Sequence, residues 1–133
     1  MIKKKYKGIV VLGTILSILL FVIIGAVVAM KSTTYFDLAK RARALSDTET
    51  LSGLISQYEM EVGKYPENLS KLVEKEAQYG PWLKNLPKDP WTGNDYKYSY
   101  NDDGFVIYSI GKDKQISSSL NSIGGDDIGF VGR

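Results

Sequence analysis

The chain has 133 residues, with 17 Lys and Arg against 15 Asp and Glu, and it contains neither Cys nor His. Without these two residue types it has no disulfides, no cysteine-linked lipid anchor, no His-dependent catalytic triad and few ligands for zinc. Five of the basic residues lie at or before Lys31, so residues 32–133 carry 12 basic against 15 acidic side chains. This mildly acidic remainder argues against binding to nucleic acid through its phosphates.

The first predicted element is an apolar segment preceded by a basic leader. The 22 residues from Ile9 to Met30 carry no charge, and four lysines lie within the seven residues at the start of the chain. As a helix the segment would span roughly 33 Å, enough to cross the hydrocarbon core of a bilayer. The lysines predict a cytoplasmic N-terminus and an extracytoplasmic remainder. A secretory signal cleaved near Val27-Val28-Ala29 is the alternative, although the run exceeds the usual apolar region of about 7–15 residues.

The second predicted element continues from this segment as an amphipathic helix. Residues 34–62 contain no proline and a single glycine, and apolar residues recur at spacings of three and four. The apolar stripe consists of Ala44, Leu45, Leu51, Leu54, Ile55, Tyr58 and Val62. Gly63 is the predicted C-terminal cap. We therefore predict one long helix from Ile9 to about Val62, with a break near Lys31–Thr34 as the alternative, because Ser and Thr lower helix propensity there.

The remaining elements are short. A helix is predicted over 68–77, and Gly80-Pro81 stops it. Residues 96–100 and 105–108 predict a β-hairpin whose turn, Asn101–Gly104, uses a positive φ at Gly104. Gly111–Arg133 has few apolar side chains and is predicted as loop, and a loop of that length in a small domain is usually functional or disordered. The expected fold class is α+β.

Several motifs then occur in a characteristic order. A basic leader ends at Gly8, and Tyr58 and Gly63-Lys64-Tyr65-Pro66 lie at the end of the predicted helix. Further along the chain come Leu86-Pro87-Lys88-Asp89-Pro90-Trp91, Tyr108-Ser109-Ile110-Gly111-Lys112-Asp113 and Asp126-Asp127-Ile128. In this order and spacing they resemble the type II secretion major pseudopilins (the general secretion pathway protein G family) of the type IV pilin-like superfamily. The resemblance covers essentially the whole chain.

The resemblance implies a pilin-like fold, in which a long N-terminal helix, half in the membrane and half amphipathic, packs on a small antiparallel sheet with a C-terminal loop. The implied domains are a leader over 1–8, a transmembrane and polymerisation helix over 9–30 and an extracytoplasmic domain over 31–133. A prepilin peptidase would cleave between Gly8 and Ile9, and the new N-terminus would be methylated.

The partners that the resemblance implies are other pilin-like subunits, as a homopolymer or with minor pseudopilins, and an inner-membrane assembly platform. The chain would be a single-pass inner-membrane protein with a periplasmic C-terminal domain, and a structural protein rather than an enzyme. The residues themselves contain no convincing catalytic constellation.

The chain departs from the family pattern near the cleavage point. Gly13 stands where the family carries a glutamate that neutralises the new N-terminal amine of a neighbouring subunit. Ile9 replaces the usual Phe, and Met30 stands at the position of the helix proline. An amine buried in an apolar filament without its carboxylate costs several kcal/mol. Two consequences remain open: the leader is retained on an anchored accessory domain, or the chain polymerises poorly as a minor or initiating subunit.

The C-terminal loop is the candidate metal site. Asp113, Asp126 and Asp127 are the acidic residues after Asp103, and three carboxylates brought together repel one another unless a cation compensates. Calcium prefers carboxylate and carbonyl oxygens, and Gly124-Gly125 would let the backbone bend close to the ion. By resemblance, the three aspartates and the carbonyl of Ile110 are the ligands of a structural Ca²⁺. On spacing alone, the alternative is that these acids are simply solvated, and the spacing does not match an EF-hand.

Two other functions compete with that of a pseudopilin. One is a signal-anchored extracytoplasmic binding or sensing domain that does not polymerise, which would retain its N-terminal lysines. The other is a type IV or competence pilin of the same fold.

Overall fold

The structure, a computed structural model, describes the backbone of residues 2–133 and the side chains of residues 7–29 and 33–133. It contains a helix α1 (Ile2–Val62), a short 3₁₀ helix (Leu69–Val73) and strands β1 (Lys97–Asn101), β2 (Gly104–Ser109) and β3 (Ile128–Gly132). The strands form one antiparallel sheet in the order β1-β2-β3. The long N-terminal helix and the small antiparallel sheet confirm the predicted α+β, pilin-like architecture.

The chain divides into two compact units, the first ending at Asp37 and the second covering Leu38–Arg133. Residues of α1 belong to both units, and the helix is continuous over Lys31–Thr34, where a break was the alternative. The predicted domain limits at residues 8 and 30 stay predictions.

In the second unit, the predicted apolar stripe of α1 packs on one face of the sheet. Ala44, Leu51, Ile55 and Tyr58 are almost completely buried, whereas Leu45 is exposed. The helix contributes these four residues to a core that also contains Leu69, Leu72, Tyr96, Phe105, Ile107 and Ile128. Three- and four-residue spacing thus places most of the stripe against the sheet.

The end of α1 lies where the sequence predicts it. Gly63 has φ +86°, and its N–H donates to the carbonyl of Glu59 at 2.8 Å. An amide with this partner in a left-handed residue is typical of a helix C-terminal cap. Pro66 follows in a buried position, so the chain leaves the helix and turns onto the domain.

All six residues of β2 are buried because the sheet is covered on both faces. Phe105 and Ile107 lie in the core beneath α1, while Val106, Tyr108 and the following Ile110 form a second cluster on the opposite face. Successive side chains of a strand point to opposite faces, so covering both faces buries the whole apolar run.

Leu120 and Ile123 of the C-terminal loop cover the second face of the sheet. Ser119 and Ser122 bridge the intervening turn, with the Ser119 N–H donating to the Ser122 carbonyl at 2.8 Å. The serine-rich segment is therefore a folded turn that places Leu120 against the sheet.

The helix predicted over 68–77 is only the 3₁₀ turn Leu69–Val73. The carbonyl of Leu72 accepts hydrogen bonds from the N–H groups of both Trp82 and Leu83, at 2.9 and 3.0 Å. It is therefore not available to an α-helical partner, and Glu74 takes an extended conformation. The spacing of apolar residues in this short segment does not reveal that N–H groups about ten positions further along the chain bind the Leu72 carbonyl.

Two strand-level predictions were wrong. Gly104 does not have a positive φ; it lies where a Cβ would strike the carbonyl of Gly132 in β3. The tight turn instead uses the Asn101 side chain, whose Oδ1 accepts from the N–H of Asp103 at 3.0 Å. The predicted loop also contains β3, whose two glycines lie where a side chain would strike β2. Glycines weaken the strand pattern in a sequence, although here close packing requires them.

Candidate functional site

The apolar part of α1 in the first unit is the larger of two candidate functional regions. Its large apolar side chains from Ile9 to Val28 are between 51% and 74% exposed. The helix is long and apolar enough to cross a membrane, and none of its most apolar window is buried. Gly8 and Ile9, the predicted cleavage pair, lie within this helix, and Gly13 has no atom within 4 Å of the place of a Cβ. This surface requires either lipid or other protein to cover it.

The second region is the C-terminal loop, in which Asp126 is a central acceptor. Its Oδ2 accepts hydrogen bonds from the N–H groups of Lys112 and Asp113, at 2.7 and 3.2 Å. Gly111, with φ +67°, places its α-carbon against Asp126, whose backbone oxygen and carboxylate fill the space of a Cβ. The segment that follows β2 and the segment that precedes β3 therefore meet at Gly111 and Asp126.

The pKa of Asp126 follows from these contacts. Burial raises the pKa of the carboxyl group, but the hydrogen bonds that it accepts from the backbone N–H groups of Asp113 and Lys112 outweigh this effect. The net shift is downward, which favours the ionised form.

Asp127 and Asp113 are each bound to a turn of the loop. Asp127 is 5% exposed, and its Oδ2 accepts from the Ser117 N–H at 2.9 Å. Asp113 is exposed, and its Oδ1 accepts from the Gln115 N–H at 2.8 Å. Burial raises the pKa of Tyr108, and the negative charge of Asp127 raises it further. In the sheet, Tyr108 pairs with Gly129, two positions from Asp127.

Two carboxylate oxygens of this loop have no hydrogen-bond partner in the part of the chain that the structure describes. They are Oδ1 of Asp126 and Oδ1 of Asp127, both inaccessible to solvent. Unpaired buried carboxylate oxygens are costly unless a cation or water completes them. Within the same described residues, no three acidic side chains are close enough together to hold a metal ion. A cation would therefore need backbone carbonyls or water in addition to the two neighbouring aspartates.

Ile110, the predicted carbonyl ligand, directly follows β2 in the chain. Its side chain is buried in the cluster with Val106 and Tyr108. Gly124 and Gly125 lie against Ser117, where a Cβ on either would collide, and Gly125 has φ +61°. The predicted bend at the glycine pair is therefore present. The structure brings the predicted residues into one loop, with Asp126 and Asp127 better enclosed than Asp113.

The sequence reasoning missed the role of Asp89. This aspartate is 2% exposed, and its Oδ1 accepts from the Trp91 N–H and from the Ser109 hydroxyl, each at 2.9 Å. The signal in the sequence was an aspartate between two prolines, but its partner Ser109 is 20 positions away. Only the fold reveals that pairing.

The two tryptophans are packing residues in the fold. Trp82 stacks at a tilt on Tyr58, with ring centroids 4.7 Å apart, and its Nε1–H donates to Glu61 at 2.7 Å. Lys40 lies 5.2 Å from the centroid of the Trp91 ring. These contacts attach the turns of the domain to α1.

Known proteins resemble this chain over most of its length. Residues 31–124 match the family model for type II secretion system (T2SS), protein G. The type II secretion system core protein G of Xanthomonas campestris pv. campestris is 33% identical, over 72% of this chain and 73% of that protein. The protein of the same name from Vibrio cholerae serotype O1 is 28% identical over 84% of each chain, and that of Aeromonas hydrophila is 28% identical over 96% and 93%.

The family model covers the amphipathic half of α1, the proline-flanked aspartate, the hairpin and most of the C-terminal loop. These matches favour the pseudopilin over an anchored sensing domain or a competence pilin. With its long apolar helix and small antiparallel sheet, the chain belongs to the type II secretion system protein G family, the major pseudopilins.

Proposed function

We propose that this chain is a structural subunit of a type II secretion pseudopilus, assembled from the inner membrane to promote protein export. The main support for this proposal is the exposed apolar surface of α1 from Ile9 to Val28. The relatives of the chain are named type II secretion system core protein G. In the membrane, lipid would cover that surface; in a filament, the same helices of neighbouring subunits would cover it. The role requires no catalysis, and the chain acts by assembly.

The orientation is part of the proposal. The four N-terminal lysines would stay in the cytoplasm, and the second unit would lie on the periplasmic side. A prepilin peptidase would remove the leader after Gly8, and the subunit would then enter a filament with copies of itself or with minor pseudopilins, at the inner-membrane assembly platform.

Cysteine cross-linking tests assembly directly, because the chain has no native cysteine. Ile23→Cys places a single thiol in the apolar part of α1. Oxidation of membranes that contain the complete secretion system should give cross-linked dimers of this variant, through helices that pack on each other. The same variant without the assembly platform is the control. Equal cross-linking in both membranes would argue for random encounters in the bilayer and against assembly.

We also propose that the C-terminal loop binds a structural calcium ion. Asp126 and Asp127 would supply their unpaired Oδ1 atoms, and the carbonyl of Ile110 and water would complete the ligands. Asp113, the third predicted acidic ligand, would have to move towards them as the ion binds, because no three acidic side chains meet among the described residues. The ion would supply the positive charge that these enclosed carboxylates lack. At about 100 times its dissociation constant, calcium would contribute on the order of 2.7 kcal/mol to folding.

Unfolding of the full chain in detergent micelles tests the calcium proposal. Both tryptophans lie in the second unit, so their fluorescence reports on that unit alone. Calcium should raise the midpoint of thermal unfolding by several degrees relative to chelator, and Asp126→Ala or Asp127→Ala should abolish the increase. The control is Asp102→Ala, in the exposed hairpin turn, which should leave it intact. An equal midpoint in millimolar calcium and in chelator would refute the site.

A further inference from the structure

A chain of hydrogen bonds leads from the buried Asp89 to the C-terminal loop. The Ser109 hydroxyl donates to Oδ1 of Asp89 at 2.9 Å, and the same hydroxyl oxygen accepts from the Gly111 N–H at 3.3 Å. Ser109 is completely buried at the end of β2. The orientation of its hydroxyl, with the hydrogen towards Asp89, leaves the oxygen free to accept from Gly111.

This chain of bonds ends where the two segments of the loop meet. A Cβ on Gly111 would strike the carboxylate of Asp126, and the next two N–H groups, those of Lys112 and Asp113, donate to that carboxylate. A displacement of Gly111 would therefore displace two of the hydrogen bonds that orient Asp126.

The Asp89 carboxylate is not required merely to close its own turn. The backbone already closes it, because the Asp89 N–H donates to the Asn94 carbonyl and the Gly93 N–H donates to the Asp89 carbonyl, each at 2.8 Å. A buried carboxylate is expensive to desolvate, so an uncharged acceptor would serve a turn better. The Asp89 carboxylate also accepts the hydrogen bond from the Ser109 hydroxyl, and it thereby orients that hydroxyl at the end of β2.

We infer that Asp89 and Ser109 are positioning residues for the cation site of the C-terminal loop, an inference that rests on the calcium proposal above. Neither side chain touches the ion. Asp89 holds the Ser109 hydroxyl, and that hydroxyl holds the backbone at Gly111, next to the carbonyl of Ile110 and against Asp126. Outer partners of this kind contribute roughly 10- to 100-fold to metal affinity in proteins.

The test measures calcium affinity of the full chain in detergent micelles. Calorimetry gives the dissociation constant for calcium, and the luminescence of terbium, an ion with similar oxygen ligands, gives a second measure of binding. Ser109→Ala removes the hydroxyl but keeps the bond between Asp89 and the Trp91 N–H. We expect its dissociation constant to rise roughly 10- to 100-fold. Asp89→Asn keeps an acceptor oxygen but loses the charge, and it should weaken binding in the same direction.

The matched control is Thr48→Ala. Thr48 is as buried as Ser109, but its hydroxyl bonds within α1, to the carbonyl of Ala44 at 2.8 Å. This variant should lose stability in chelator and keep the affinity for calcium and terbium of the wild type. Affinity, rather than stability, therefore separates a positioning role from a merely structural one.

The outcomes for the two proposals are distinct. A wild-type chain that binds neither calcium nor terbium overturns the calcium site. A wild type that binds, together with folded Ser109→Ala and Asp89→Asn variants that bind calcium equally tightly, overturns only the positioning role. If Ser109→Ala does not fold, Asp89→Asn decides the question by the same measurement.

Discussion

At the scale of single residues, burial changes the pKa of two tyrosine hydroxyl groups, those of Tyr96 and Tyr98. Burial raises the pKa of Tyr96, and the bond from its hydroxyl to Asp47, 2.8 Å long, raises it further. Burial also raises the pKa of Tyr98, whose hydroxyl donates to the Pro66 carbonyl at 3.0 Å. Both phenols therefore keep their protons in the folded chain at a pH where an unfolded chain would lose them.

This predicts alkaline unfolding. Because the folded-state pKa lies above the unfolded value of about 10, the contribution of these tyrosines is complete below pH 10 and is lost as pH rises above it. Absorbance of tyrosinate against pH should show Tyr96 and Tyr98 ionising only together with unfolding. Tyr96→Phe should remove one late-ionising group. Ionisation of all nine tyrosines in one step, before tryptophan fluorescence changes, would contradict the burial described here.

At the scale of elements, the sequence predicts what local periodicity encodes. The helix, its end at Gly63 and the hairpin over Lys97–Ser109 follow from spacing and turn residues within a few positions. Strand β3 was not predicted because Gly129 and Gly132 interrupt the alternation of apolar and polar residues that marks a strand. Glycine is required at both positions because a Cβ there would strike β2. Likewise, the acids of the loop were located through a family resemblance, whereas the bond between Asp89 and Ser109 depends on the fold. Long-range packing therefore accounts for most of what the sequence did not predict.

Two exposed glycines, Gly53 inside α1 and Gly63 directly after it, should respond oppositely to substitution by alanine. Gly53 lies inside the helix and Gly63 ends it with φ +86°, and neither has an atom within 4 Å of its Cβ position. Gly53→Ala should stabilise the unit by roughly 0.5–1 kcal/mol, while Gly63→Ala should destabilise it by about 1 kcal/mol. Urea unfolding followed by tryptophan fluorescence measures both. The same sign for the two variants would contradict the assigned helix end.

The C-terminal loop should depend on its own small core. Leu120 packs on the second face of the sheet, whereas Ile116 in the same loop is 63% exposed. Leu120→Ala should cost about 1–2 kcal/mol, less than a fully buried leucine, and Ile116→Ala should cost under about 0.5 kcal/mol. Urea unfolding in chelator isolates this term from any ion. If the two variants were equally stable, apolar packing would not be what holds the loop.

At the scale of the whole molecule, assembly depends on two features of α1: its apolar surface, and the glycine at position 13 where an acidic residue is expected. The segment from Ile9 to Val28 exposes an almost uninterrupted apolar surface. After the proposed cleavage at Gly8, however, a charged amine would enter any helical packing, with Gly13 at the position where the resemblance to the pseudopilins implies a glutamate. Filament formation by this chain should therefore be limited by that amine.

Restoring the acid tests this. Gly13→Glu should increase cross-linking through Ile23→Cys, because a carboxylate can pair with the amine of a neighbour and offset a cost of several kcal/mol. Gly13→Gln is the matched control, with the same size and no charge. An equal increase for both would show that side-chain volume, rather than charge, limits assembly.

The central claim, that this chain is a processed pseudopilin, depends most directly on where its mature N-terminus lies. The measurement is the intact mass of the protein recovered from membranes that contain a prepilin peptidase, with Gly8→Val as the uncleavable control. The account predicts a chain that begins at Ile9 and has lost the lysine-rich leader. A wild-type protein that still begins at Met1 in those membranes would contradict it, and would leave an anchored domain that does not assemble.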